Sequence, residues 1–243
     1  MSTPPVSVEA QLALAIGHVN AGRADSALRL CEEAMAAHPP HPAVLQLLAV
    51  LYLQGGDHVR AGERIAASLA LRPDHGPSLL VAGDVAHATA DLPTALAHHR
   101  RARDLLPERA DAAYALAQTL GESGQGADAE AEFERTVRLA PAHAQAWFKL
   151  ALLRQDRRDF AGAAAALREL LRVATPRAEV EVNLGIVLQE AGKIDEALAA
   201  YGRAFRLQDD SFGRIAHALA APGCGRLWLD LDALRECLRT MPA

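Results

Sequence analysis

The sequence predicts an all-α protein, a solenoid of stacked antiparallel helix pairs. Small residues recur along the chain every 34 residues, which is the length of a known helix-pair repeat. Within each repeat, apolar residues fall at the i, i+3, i+4 and i+7 positions of two amphipathic helices. A helix pair alone leaves one apolar face bare, and stacking on the next pair buries that face. These three observations together favour a repeating helical core.

One position in the second helix of each repeat shows the spacing most clearly. It holds alanine six times in succession, at Ala27, Ala61, Ala95, Ala129, Ala163 and Ala197. A position in the first helix holds only alanine or glycine, at Ala15, Ala49, Gly83, Ala117, Ala151 and Gly185. We expect two helix backbones to approach closely at these positions, because a larger side chain would force the pair apart.

Glycine and proline mark the ends of the predicted helices. Glycine separates the two helices of four repeats, at Gly22, Gly56, Gly124 and Gly192. It is the residue that most readily ends a helix in a left-handed backbone conformation. Proline closes five repeats, at Pro39, Pro73, Pro107, Pro141 and, one residue late, Pro176. A second helix cannot continue through proline, so each repeat ends there.

These residues resemble the tetratricopeptide repeat (TPR) pattern. The repeat that shows it best is NLGIVLQEAGKIDEALAAYGRAFRL, Asn183 to Leu207, and Trp147 supplies the pattern's aromatic residue in the preceding repeat. The resemblance spans residues 8–211 and implies a right-handed superhelical solenoid. Its six repeats are predicted at residues 8–41, 42–75, 76–109, 110–143, 144–177 and 178–211. We predict a disordered tail at residues 1–7 and capping helices at residues 212–243.

The C-terminal segment departs from the repeat. Phe212 to Ala221 fits a seventh first helix, which Pro222-Gly-Cys-Gly225 then breaks. Asp230 or Asp232 can cap a last helix, as the end of a solenoid requires. We predict one apolar stripe on that helix, formed by Leu231, Leu234, Cys237 and Leu238. Trp228 is expected either to be buried in this cap or to be exposed as a docking site.

Composition and charge argue against several function classes. The formal net charge is -5 with both signs interspersed, so no basic face is available for nucleic acid. No stretch approaches the roughly 20 apolar residues that span a bilayer, and the N-terminus does not resemble a signal peptide. An odd number of cysteines fits a reducing compartment. Heavy Ala and Arg usage is typical of GC-rich bacteria, so we expect a bacterial protein. From the charge, the hydropathy and the cysteine count, we expect it to be cytoplasmic, to bind no nucleic acid and not to insert into a membrane.

No sequence motif for catalysis occurs. The chain contains no GxSxG, no P-loop, no GxGxxG after a strand and no HExxH. We therefore expect no enzymatic activity, no cofactor and no metal site. His99 stands at a second-helix position that is apolar in every other repeat except for Tyr201. It is expected to be a partly buried core histidine whose polar atoms are hydrogen-bonded.

The third repeat is predicted to have the lowest local stability of the six repeats. It has Ala82 where leucine is usual, Ala90 where the turn glycine is usual, and Pro93 early in its second helix. Fewer large apolar contacts lower the free energy of local opening. Hydrogen exchange should therefore be faster in the third repeat than in the fourth and fifth, and equal protection would contradict the prediction.

The resemblance also implies where a partner binds. In the TPR family, first-helix positions line a concave groove that contacts ligands. Carried to this sequence, these positions give Leu80, Asp84, His87, Tyr114, Gln118, Glu122, Phe148, Lys149, Leu152, Gln155, Asn183 and Ile186. Aromatic residues beside acids suit a partner helix or peptide that carries apolar side chains and an arginine or lysine. Apolar members of the set can equally pack against neighbouring repeats.

Two functions stay open on the sequence alone. The first is a non-catalytic scaffold or adaptor that binds a partner protein, peptide or helix in the groove. The second is a regulatory or substrate-recruiting subunit of a separate enzyme, such as a glycosyltransferase or sulfotransferase. The enzyme would be a separate chain because residues 212–243 are too few for a catalytic domain. A homo-oligomer formed through the groove or the tail is a further alternative.

Overall fold

The computed structural model describes residues 7–220 and 230–241, and the regular structure in this part of the chain is entirely helical. The predicted all-α fold class, built from antiparallel helix pairs, is confirmed. The pairs are α1 (Val8–Asn20) and α2 (Ala24–Ala37), α3 (Pro42–Gln54) and α4 (His58–Leu71), α5 (Gly76–Ala88) and α6 (Leu92–Leu105), α7 (Ala110–Glu122) and α8 (Gly126–Leu139), α9 (Ala144–Asp156) and α10 (Phe160–Val173), and α11 (Ala178–Glu190) and α12 (Ile194–Leu207). A 3-10 turn (Asp209–Ser211), α13 (Phe212–Leu219) and α14 (Leu231–Thr240) follow.

Each predicted 34-residue repeat contains one of these helix pairs. The first pair starts one residue after Ser7, whose side chain accepts a hydrogen bond from the backbone N–H of Ala10 at 3.3 Å. Ser7 is therefore the N-cap of α1. The other residues of the predicted disordered tail, 1–6, lie outside the described part of the chain.

Aspartate side chains begin three of the second helices. Asp57, Asp91 and Asp159 accept hydrogen bonds from backbone N–H groups three residues later, at 2.9, 3.2 and 2.9 Å. Each bond satisfies a donor that the first turn of a helix leaves without a partner. The three residues hold the same position in the second, third and fifth repeats, so the chain turns in the same way each time.

One residue between the two helices of every repeat has a positive φ. Glycine occupies this position in four repeats, with φ between 71° at Gly22 and 79° at Gly56. The third repeat has Ala90 there, at φ 59°, and the fifth has Arg158, at φ 62°. A residue with a Cβ is strained in this conformation. Two of the six turns are therefore less favourable than the rest.

Replacing Ala90 with glycine should raise the free energy of unfolding by about 0.5–1 kcal/mol. The gain is the relief of left-handed strain, less the greater freedom of glycine in the unfolded chain. Urea unfolding monitored by circular dichroism would measure it. The matched control is Gly56→Ala, which introduces the same strain and should destabilise. A loss of stability in Ala90→Gly would show that the turn holds alanine without strain.

The small residues of the repeat lie where the two helices of a pair meet. The six alanines of the second-helix position are each at most 1% exposed. At the first-helix position, a Cβ added to Gly83 would overlap the imidazole of His99, and one added to Gly185 would overlap the ring of Tyr201. Both rings are buried. The first-helix position is therefore glycine in the two repeats whose second helix places a large side chain with a polar atom against it.

The described chain divides into two compact units. Unit 1 ends at Ala129 and unit 2 begins at Glu130, so the division falls within α8. In unit 1, the first helices α3, α5 and α7 contact one another in succession, and α3 and α5 also pack on their second helices α4 and α6. In unit 2, α11 contacts α12 and α13, and α14 packs on α12.

The last two helices lie where the sequence places a seventh first helix and a cap. Ile215 and Leu219 of α13 are buried, as the repeat predicts. The side chain of Asp230 accepts hydrogen bonds from two backbone N–H groups of α14, at 2.8 and 3.1 Å, so Asp230 is the capping aspartate. Leu234 and Leu238 of the predicted stripe are buried, while Cys237 is half-buried.

Leu231, the first residue of the predicted stripe, is 52% exposed. Contacts between α14 and α12 involve the C-terminal end of α14. Leu238 and Met241 lie against Gly202, and Arg206 donates a hydrogen bond to the Met241 carbonyl at 2.8 Å. Leu231 lies at the opposite end of α14, away from these contacts. The periodicity therefore identifies a face of the helix but not how much of its length is covered.

Candidate interaction surface

The predicted groove residues fall into two groups, one in each unit. In unit 1, α5 and α7 are neighbours, and His87 Nε2 lies 2.9 Å from Glu122 Oε2 between them. Asp84 precedes His87 by about one turn of α5, and Gln118 precedes Glu122 by about one turn of α7. The structure therefore places these four predicted residues on two adjacent first helices.

A buried histidine lies behind the carboxylate of Asp84. His99 is 1% exposed, and its Nε2 lies 3.3 Å from Asp84 Oδ1. Its Nδ1 lies 2.8 Å from the hydroxyl of Thr119, which itself donates to the Ala115 carbonyl at 2.9 Å. Because that hydroxyl proton is already used, the Thr119 oxygen accepts a hydrogen from His99 Nδ1. Burial of His99 agrees with the sequence, but among the described residues Nδ1 has a hydrogen-bond partner and Nε2 has none.

Tyr114 supplies aromatic surface in unit 1. Its ring is half-buried, and this burial raises the pKa of its phenol above the ordinary value. Its neighbours Ala113 and Leu116 are buried, so Tyr114 is less buried than the residues around it on α7. Leu80, another predicted groove residue, is only 9% exposed and packs in the core with Leu79. Leu80 therefore offers a partner little surface.

In unit 2, the predicted residues lie on α9 and α11. Lys149 is exposed, and the half-buried members are Phe148, Leu152, Gln155, Asn183 and Ile186. Ile186 borders a cavity of about 210 Å³ that α13 lines with Arg214, His217 and Ala218. Buried Gln189 also lines this cavity and holds the two helices together, because its side-chain amide donates to the Ala218 carbonyl at 2.8 Å.

An ion-pair network joins α8 and α9 in unit 2. Arg154 Nε lies 2.9 Å from Glu130 Oε1, and the same guanidinium pairs with Glu134. The Arg154 side chain is 18% exposed and that of Glu130 is 16% exposed. Burial lowers the pKa of Arg154, but its hydrogen bonds to both carboxylates outweigh this and hold the pKa above its ordinary value. Arg154 is thus held within the helix packing.

We also searched the described residues for metal sites, membrane-spanning helices and reactive thiols. Residues 7–220 and 230–241 contain no group of three or more His, Cys, Asp or Glu side chains placed to hold a metal ion. Over the same ranges, no helix has the length and apolar character needed to cross a membrane. Burial raises the pKa of the Cys31 thiol to about 11, which makes it a poor nucleophile at neutral pH. Trp228, the predicted docking residue, lies outside the described residues.

Sequence comparison decides the family. Two sequence models, both described as tetratricopeptide repeat, match the chain, one over residues 18–80 and the other over residues 114–179 and 148–211. The chain belongs to the tetratricopeptide repeat family. None of the curated proteins matches the sequence.

Solved TPR structures show the same fold. The structure of PilF from Pseudomonas aeruginosa is 21% identical, with a TM-score of 0.72 over 83% of this chain and 92% of that one. PilW, described as a widely conserved type IV pilus biogenesis factor, is 16% identical, with a TM-score of 0.72 over 88% and 98%. YrrB, described as a TPR protein with an unusual peptide-binding site, is 18% identical, with a TM-score of 0.65 over 74% and 93%. At these identities the likeness shows the fold alone.

The TPR register could have identified one residue that the predicted set missed. His217 follows Asn183 by 34 residues, and Asn183 follows Lys149 by the same spacing, so all three share one first-helix position. The predicted set stops before α13 and omits it. Arg214 has no such signal, because the equivalent residues Val180 and Ala146 are apolar and buried.

Proposed function

We propose that this TPR protein is a non-catalytic interaction scaffold whose first helices bind a partner polypeptide. The observation that carries the proposal is the half-buried Tyr114 on α7, a helix whose other large apolar residues are buried. Aromatic residues that remain accessible are enriched in protein interfaces, where they supply large contact areas. Phe148 on α9 offers a second half-buried ring in unit 2.

The related structures support this proposal only through their fold. The YrrB structure is described as having a peptide-binding site, and PilW as a pilus biogenesis factor, which is consistent with TPR folds acting by binding other chains. The cytoplasmic location and the absence of catalysis remain predictions from composition and motifs.

Affinity capture from the native cell tests the proposal. Tyr114→Ala and Phe148→Ala are made separately, since the two residues belong to different units. We expect at least one of them to lose the main captured protein, identified by mass spectrometry. The matched controls are Val59→Ala and Leu105→Ala, exposed apolar residues of second helices that should leave capture unchanged. Capture that both aromatic variants leave unchanged would reject the first-helix surface.

The same experiment separates the two functions left open by the sequence. A captured transferase whose activity depends on this protein would favour the regulatory-subunit alternative. A captured protein without catalytic activity would favour the adaptor, and capture of a second, differently tagged copy of this chain would establish a homo-oligomer.

A further inference from the structure

The charges of unit 1 are divided unequally between its first and second helices. The helices α1, α3, α5 and α7 contain no lysine or arginine, and their acidic residues are Glu9, Asp84, Asp111 and Glu122. The second helices α2, α4 and α6 carry Arg29, Arg60, Arg64, Arg100, Arg101 and Arg103. A partner that lies along the first helices of unit 1 therefore meets acidic and apolar side chains on those helices, with no lysine or arginine among them.

Two of these acids belong to the predicted groove. Asp111 is paired with Arg109 at the start of α7, so its charge is already compensated. Among residues 7–220 and 230–241, by contrast, the only partners of Asp84 and Glu122 within ion-pair distance are histidines, His99 and His87 respectively. Their side chains are 46% and 54% exposed, which leaves both carboxylates accessible to a partner.

The buried histidine behind Asp84 gives an independent reason to expect a cation. His99 donates through Nδ1 to Thr119, so in the neutral imidazole its Nε2 carries a lone pair. Nε2 has no hydrogen-bond partner in the described part of the chain and lies 3.3 Å from a carboxylate oxygen of Asp84. While the imidazole is neutral, this lone pair and the carboxylate oxygen repel each other. A positive charge brought to the exposed side of Asp84 would offset this repulsion, because it reduces the negative potential of the carboxylate at Nε2.

We infer that the unit 1 face, defined as Asp84, His87, Tyr114, Gln118 and Glu122, binds a partner polypeptide through an arginine or lysine side chain. The cation pairs with the carboxylates of Asp84 and Glu122, and an apolar side chain next to it in the partner packs on the ring of Tyr114. Arginine is the better fit, since its planar guanidinium pairs with carboxylates through two hydrogen bonds and stacks on aromatic rings. This inference rests on the proposed function, and it adds the chemistry of the partner.

Three fluorescein-labelled peptides test the inference. Each repeats leucine, a variable residue, alanine and glycine, and the variable residue is arginine, glutamine or glutamate. In fluorescence anisotropy at low salt and neutral pH, we expect the arginine peptide to bind at least tenfold more tightly than the glutamine peptide. The glutamate peptide should not bind.

Two charge-matched double variants show whether the binding is local. Asp84→Asn/Glu122→Gln should weaken binding of the arginine peptide at least tenfold. Glu33→Gln/Glu63→Gln removes the same charge from exposed positions of second helices and should change the affinity less than twofold. Circular dichroism melting checks that both variants are folded.

Three outcomes would overturn the inference. They are equal weakening by both double variants, equal affinity for the arginine and glutamine peptides, and no binding of the arginine peptide at millimolar concentration. If all three peptides bind and Tyr114→Ala abolishes that binding, the cation preference is wrong while the proposed function stands. The proposed function is wrong only if both Tyr114→Ala and Phe148→Ala also leave the captured protein unchanged in the affinity-capture experiment.

Discussion

Arg154→Met is expected to lower the free energy of unfolding by about 3 kcal/mol, because it leaves the carboxylates of Glu130 and Glu134 without their shared partner in partly buried positions. The Glu130 side chain is 16% exposed, so water cannot fully replace the guanidinium. Arg157, which also pairs with Glu130, compensates only part of the loss. Equilibrium urea unfolding at neutral pH would measure the change.

An exposed ion pair provides the control for this prediction. Arg172 pairs with Glu169 at 2.8 Å, but their side chains are 64% and 42% exposed. Arg172→Met should therefore change stability by no more than about 1 kcal/mol. Adding Glu130→Gln and Glu134→Gln to Arg154→Met should restore part of the loss, since the unpaired charges are then gone. A similar loss in Arg154→Met and Arg172→Met would show that burial of the network contributes nothing.

Gly185→Ala is expected to destabilise unit 2 by about 2 kcal/mol. The added Cβ overlaps the ring of Tyr201, which is fully buried and cannot rotate away without displacing its neighbours. This effect has to exceed the gain in helix propensity, about 1 kcal/mol, that alanine normally brings to a helix interior. The midpoint of thermal unfolding should fall accordingly.

Two further variants identify the cause of that destabilisation. Gly17→Ala, in α1, adds a Cβ that meets no other atom within 4 Å, so it should stabilise through helix propensity alone. Gly185→Ala/Tyr201→Leu recreates the residues of the fifth repeat, Ala151 and Leu167, and should recover much of the lost stability. An unchanged or higher melting temperature for Gly185→Ala alone would contradict the steric argument.

The positions of the helices could be predicted because each depends on residues close in sequence. The turn glycines, the capping aspartates and the alanines at 34-residue spacing act through local backbone conformation and the packing of adjacent helices. The same spacing identified the position of the turn at Ala90, although alanine is not the residue that a positive φ favours. A repeat allows this prediction because the residues at the equivalent position of the other repeats show which conformation the chain adopts there.

The candidate surface could be predicted only in part, because its properties depend on contacts between residues far apart in sequence. The register located Asp84 and Glu122 on first helices, but not that His99 lies behind one and His87 bridges to the other. Likewise, no pattern pairs Arg154 with Glu130, since an arginine on α9 recurs at no equivalent position of another first helix. Leu80 matched a groove position but is buried, because periodicity does not measure how deeply a position is covered.

The pairing of Gly185 with Tyr201, and of Gly83 with His99, has a consequence for recombination between repeats. The two members of each pair lie on opposite sides of the turn between their helices. A crossover at that turn would join the first helix of the fifth repeat to the second helix of the sixth, and so place Ala151 against Tyr201. A crossover in the linker after a second helix would move both members together. The segment that can be duplicated or exchanged without a clash is therefore the whole helix pair, and engineered chimaeras of this chain should be divided at the linkers.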